Sequence, residues 1–79
     1  MPTARNVLEY LVKSVVEHPE EVEVEIVERR GTITLEVAVA QGDMGRVIGR
    51  RGRVANSIRT IVRAAASKDG SNIAVEFID

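Results

Sequence analysis

Near the start of the chain, apolar residues return at helical spacing: Val7, Leu8, Leu11, Val12, Val15 and Val16, with Glu9, Lys13 and Glu17 between them. This spacing predicts an amphipathic helix with one apolar stripe. Thr3 stands where its hydroxyl can accept from a first-turn amide and cap the start. Pro19 ends the helix at or before His18. The period then falls from 3.6 to 2. In EVEVEIVERRGTITLEVAVA, Val22, Val24 and Ile26 alternate with Glu23, Glu25 and Glu28. Beyond Arg29-Arg30-Gly31, Ile33, Leu35, Val37 and Val39 alternate with Thr34, Glu36 and Ala38. Two alternating runs about a Gly-containing turn predict a β-hairpin with one wet face.

Four glycines, Gly42, Gly45, Gly49 and Gly52, punctuate the next segment. Met44, Val47 and Ile48 suit one apolar-faced helical turn ahead of Gly49. After Gly52, Val54, Ile58, Ile61, Val62 and Ala65 again recur at helical spacing, with Arg53, Asn56, Thr60 and Arg63 between them. This second long helix is expected to end near Lys68-Asp69-Gly70. In NIAVEFI, Ile73, Val75 and Phe77 alternate with Ala74, Glu76 and Ile78, a final short strand. The order is helix, strand, strand, short helix, GxxG, helix, strand. One open sheet with its helices on one face buries all of these stripes.

The 79 residues suit one small domain, 1–79, and an apolar content of 44% allows a thin core. There is no cysteine, hence no disulfide framework and no thiolate metal site. MPTARNVLEYL has no long apolar run after its charge, and no stretch approaches the ~18 apolar residues of a membrane span. A soluble, cytoplasmic protein is expected, with no membrane partner.

The net charge of −1 conceals a segregation. Arg46, Arg50, Arg51, Arg53, Arg59, Arg63 and Lys68 fall between residues 44 and 68 with no acid among them. The remainder of the chain is strongly acidic. This is either a surface for an anion or an arginine-rich solvated helix face. The glycines add to the first reading. A glycine lets another chain's backbone approach closely and accepts a positive φ. Gly52 stands just before a long helix, whose first amides have no internal partner. Arg50 and Arg51 then occupy the tip of a turn suited to a sugar-phosphate backbone. A Walker A loop is excluded because Gly52 is followed by Arg53-Val54, and a dinucleotide fingerprint because no GxG occurs. The competing view makes the glycines a tight helix–helix turn without a ligand.

VIGRRGRVANSIRTIV resembles the K-homology (KH) signature, in which V/I-I-G-x-x-G precedes aliphatic residues at helical spacing. Val47, Ile48, Gly49 and Gly52 match it directly; Ala55 and Ile58 fall on the two following aliphatic positions. One helix and two strands before the motif and one strand after it resemble the type II arrangement of bacterial KH domains. The stretches GRVIGRRGR and IRTIVRAAA are similar to the small single-KH bacterial proteins of the KhpA type. The resemblance implies an α+β fold of type II KH order, α-β-β-α-α-β, with a three-stranded sheet and helices on one face. It also implies binding of single-stranded RNA by a clamp over about four nucleotides, with the GxxG loop on the backbone. By position, Gly49, Arg50, Arg51 and Gly52 then face phosphates, Arg46 and Arg53 flank them, and Val47, Ile48, Ala55 and Val37 offer a floor for bases. The role implied is that of an RNA chaperone or post-transcriptional regulator, paired with itself or with a larger KhpB-type KH protein.

Other residues take structural readings. Arg59 and Arg63, further along the long helix, are read as solvated, with contact to RNA as the alternative. His18 has neither a cysteine nor a second histidine beside it, so it is a helix-end residue rather than a metal ligand or base. Glu23 and Glu25 belong to a wet strand face. Tyr10 and Phe77 are the only aromatic residues, too few for a base-stacking platform. No nucleophile, base and orienting group come together, so no enzyme, cofactor or metal is expected. Three function classes remain: RNA binding through the loop, a KH-fold interaction or dimerisation module without RNA affinity of its own, and a small enzyme acting on a phosphorylated substrate, which the lack of catalytic groups disfavours. The run Ala64-Ala65-Ala66 is a candidate close-approach surface for the second.

Overall fold

The computed structural model describes residues 3–67 and 72–78. Helix α1 (Ala4–Val15) starts at Thr3, whose hydroxyl accepts from the Asn6 amide at 3.1 Å. A 3-10 turn at Pro19–Glu21 leads into strand β1 (Glu23–Arg29), which turns back into β2 (Thr32–Ala38). Arg30 (φ 53°) and Gly31 (φ 79°) make the connection, and two consecutive positive φ values give the hairpin the tight twist that antiparallel strands prefer. Helix α2 (Met44–Ile48), a 3-10 turn at Arg50–Gly52, helix α3 (Arg53–Ser67) and strand β3 (Ile73–Ile78) complete the order. The expected end of α3 near Lys68-Asp69-Gly70 lies outside the described residues.

The sheet runs β1-β2-β3, with β1 antiparallel and β3 parallel to the central β2. Register aligns Val24, Val37 and Phe77 in one row, and Ile26, Leu35 and Val75 in the next. These side chains face the helices, and Leu35, Val37 and Val75 join Leu8, Val12, Val47, Ile58 and Val62 in the core. The expected α+β layering and element order are therefore realised.

Two expected core positions differ. Ile26 points to the helix side but stays 57% exposed on the edge strand. On α3, the buried face is Ala55, Ile58, Val62 and Ala66, while Ile61 is 48% exposed. The alanines, not Ile61, occupy the inward positions, since a small side chain lets the helix backbone approach the layer beneath it.

Candidate nucleic-acid interface

The junction between α2 and α3 is a single 3-10 turn. The Gly49 amide closes α2 onto the Gly45 carbonyl at 2.9 Å, and the Gly52 amide returns to the Gly49 carbonyl at 3.2 Å. Gly49 has φ 73° and ψ 177°, a region essentially open to glycine alone. A methyl group there would stand 2.4 Å from Val54 Cγ2 and 3.0 Å from the Val54 amide nitrogen. Gly52 also has a positive φ, 72°, but its nearest neighbour, Asn56 Nδ2, is 3.9 Å from the place a Cβ would take. Gly49 thus lets the turn close against α3, and Gly52 gives the turn its handedness at the start of that helix.

Between them stand Arg50 and Arg51, both exposed. Arg51 has left-handed backbone angles (φ 57°, ψ 28°), a conformation that disfavours side chains by about 1–2 kcal/mol. Arg50, Arg51 and Arg53 have no carboxylate within 4.0 Å among the described residues. Three unpaired guanidinium groups therefore cluster at the opening of α3, where the helix dipole adds further positive potential.

Arg46, expected to flank the loop, is engaged by acidic partners within the protein. Its Nη2 pairs with Glu17 Oε1, and its Nε lies 3.8 Å from Asp43 Oδ1, so it ties α2 to the segment after α1. Asp43 was not singled out by sequence. It is 3% exposed, and its carboxylate accepts from the Glu17 and His18 amides at 3.3 and 3.0 Å. These partners lie 26 and 25 residues away, so no local pattern announces them. Asp43 fixes the start of α2, and through it the position of the loop.

The expected apolar floor is also corrected. Val47 and Val37 are wholly buried and Ala55 is 1% exposed, so they have no surface for a base and support the junction from within. Ile48 and Val54 are half-buried beside the loop. Arg59, read as solvated, is instead folded against β3: its Nε donates to the Val75 carbonyl at 3.2 Å, its Nη1 to Asn56 Oδ1 at 3.2 Å, and its guanidinium sits 5.3 Å from the Phe77 ring centroid. His18 is exposed, 3.5 Å from Glu20.

The family model described as KhpA/KhpB, KH domain, matches residues 5–77. The chain belongs to the KhpA/KhpB family of KH domains. Among its relatives, the RNA-binding protein KhpA of Clostridium acetobutylicum is 46% identical over 94% of this chain and 99% of its own length. The RNA-binding protein KhpA of Borreliella burgdorferi is 40% identical over 91% of this chain and 88% of its own. Among solved structures, a point variant of Aquifex aeolicus Era bound to GDP.AlF4- superposes with a TM-score of 0.66 at 17% identity, over 94% of this chain and 29% of that one. That likeness concerns the fold, since the chain spans under a third of Era. In KH terms, α2, the Gly49–Gly52 loop and α3 are the GxxG unit, and α1 with β1 precedes it as the type II order requires. No helix among the described residues is long and apolar enough to cross a membrane.

Proposed function

We propose that this single KH domain binds single-stranded RNA through the Gly49-Arg50-Arg51-Gly52 loop, as an RNA chaperone or post-transcriptional regulator in the cytoplasm. One observation carries the reading: a glycine-bounded turn at the head of α3 exposes Arg50 and Arg51 with no acidic partner among the described residues. The glycines bring backbone close to backbone, and the guanidinium groups meet phosphate oxygens with charge-assisted hydrogen bonds. Arg53 extends the same surface, while Ile48 and Val54 offer apolar contact beside it. The names of the relatives support this class of ligand, and nothing in the site calls for a cofactor or for catalysis.

A clamp on about four nucleotides is weak alone, so pairing two domains raises avidity through effective concentration. We read the partner as a second copy or a KhpB-type KH protein. Tyr10 on α1, 71% exposed, and Ile61 with Ala64 on α3 leave apolar surface on two helices that pack together.

The test replaces Arg50 and Arg51 with Asp and keeps both glycines. Both side chains are exposed, so the melting curve by circular dichroism should correspond to a change of no more than about 1 kcal/mol. Anisotropy with a short labelled RNA should show binding lost, while the mass by light scattering is unchanged. A folded variant that binds RNA like the parent refutes the loop as the contact. A parent protein that associates but binds no RNA selects the interaction-module reading.

A further inference from the structure

The sheet has two outer strands, and β1 is the one on the side of α1, away from α3 and β3. It pairs with β2 over 7 residues without a bulge, and no proline interrupts it. Arg29 and Thr32 close the hairpin around two residues of positive φ. In such a turn the closing pair exchanges both of its hydrogen bonds, and the pattern then alternates along the strand. Glu23, Glu25, Val27 and Arg29 therefore turn their peptide groups toward β2. Val24, Ile26 and Glu28 turn theirs to the open side, where no strand lies among the described residues.

Ile26 stands in the middle of this edge, 57% exposed. It borders a recess of about 340 Å³ whose lining includes Ala4, Ile33, Leu35, Ala66 and Ile73. A β-branched side chain left in water at the centre of an unpaired edge is what outer strands ordinarily avoid. On the other face of β1, Glu23 and Arg29 mark its two ends, both exposed. Neither has an ion-pair partner within 4.0 Å among the described residues. One strand thus carries an apolar centre, an acid at one end and a base at the other, which is the pattern that complements itself when reversed.

We propose that β1 is a self-pairing edge: two copies of this chain join through antiparallel β1 strands, Ile26 opposite Ile26, so that their two 3-stranded sheets become one. In this register Val24 stands opposite Glu28 of the other copy, and outward peptide groups meet outward peptide groups along the strand. Glu23 stands opposite the other copy's Arg29, at a non-hydrogen-bonded position, where side chains come closest. The two-fold axis repeats that pair, so the interface carries two complementary charge pairs. Shifted registers lose these features. One that sets Glu25 opposite itself opposes like charges, and one that sets Val27 opposite itself places Ile26 against Glu28. The edge is separate from the helix surface of Tyr10 and Ile61. It also leaves α3 and the Gly49–Gly52 loop free, so the inference stands apart from the RNA-binding reading.

The chain has no cysteine, so one introduced thiol reports one contact. Ile26→Cys, Glu25→Cys and Val27→Cys are equilibrated separately in a glutathione redox buffer at high micromolar concentration, and the linked dimer is read on a non-reducing gel. Only position 26 faces its own copy in the proposed register, with Cα atoms about 5.5 Å apart, a span that a disulfide closes. Ile26→Cys should give about fivefold or more linked dimer than either neighbour, through its higher effective concentration. More linkage at position 25 or 27, or the same linkage at all three, overturns the inference. Charge reversal in a chain that keeps Ile26 supplies a second reading. Glu23→Arg or Arg29→Glu alone should weaken self-association in sedimentation about tenfold, and the two together should restore it to within about threefold. Single reversals without effect, or a double variant as weak as the singles, overturn the inference, as does a parent that stays monomeric at high micromolar concentration. Circular dichroism shows which variants fold; should Ile26→Cys not fold, the charge reversals decide alone.

Discussion

Gly49 and Gly52 differ in what a methyl group would do to them. At Gly49 the backbone angles suit glycine alone, and a Cβ would collide with Val54, whose own backbone begins α3 and cannot retreat. Gly49→Ala should destabilise the protein by about 2–4 kcal/mol, strain and overpacking together. At Gly52 the space is open and only the left-handed φ matters, so Gly52→Ala should lose about 1 kcal/mol. Urea denaturation of the two variants checks the order; equal losses would mean that the contact with Val54 relaxes away. The motif announces both glycines in the sequence and gives them equal weight. Their inequality comes from Val54, a neighbour across the turn, and from a ψ that no residue letter encodes. Arg51 is a similar case: its letter advertises charge, while its left-handed backbone becomes visible only once the turn is built.

At the scale of elements, periodicity located every α-helix and strand among the described residues, because each stripe faces one shared layer. It misjudged which side of α3 is central. Ile61 outweighs Ala55 and Ala66 in apolar size, yet the alanines lie inward, where the helix runs closest to its neighbours. The least legible element was the start of α2. Asp43 does not cap that helix with its side chain; it reaches to the amides after α1 and is joined there by Arg46. Asp43→Ala would leave the Glu17 and His18 amides without this partner in a part-buried position, a loss of about 1–3 kcal/mol. Asp43→Asn keeps one acceptor oxygen and should lose less. If α2 also sets the loop, the alanine variant should weaken RNA binding although Asp43 itself touches no nucleotide. Thermal melting with RNA anisotropy on both variants reads the two effects together. An alanine variant as stable as the parent would show that water replaces the carboxylate fully.

The whole molecule is polarised in a way that its net charge of −1 hides. Across the sheet, register sets Glu25 beside Glu36 and Glu36 beside Glu76, a row of three carboxylates on the face away from the helices. Like charges directly opposite each other are unfavourable in a sheet, so this row lowers stability where it stands. It also repels a polyanion from that face and leaves the helix layer, with Arg50, Arg51 and Arg53, as the side of approach. On the proposed reading, counterions are released locally at the loop, whatever the sum of charge over the chain. Contact with about 2–4 phosphates of a single strand should give log affinity against log salt a slope of roughly −1.5 to −3. Replacing Glu25 and Glu76 with Gln should raise affinity by no more than about twofold and leave that slope within about 0.5 of the parent's, because the carboxylates act at a distance and salt screens them. Anisotropy titrations from low to physiological salt measure both quantities. A flat response in the parent would mean that RNA is held without its phosphates. A slope that steepens by a further phosphate or more in the glutamine variant would mean that RNA also travels across the sheet face, against the polarity described by the register.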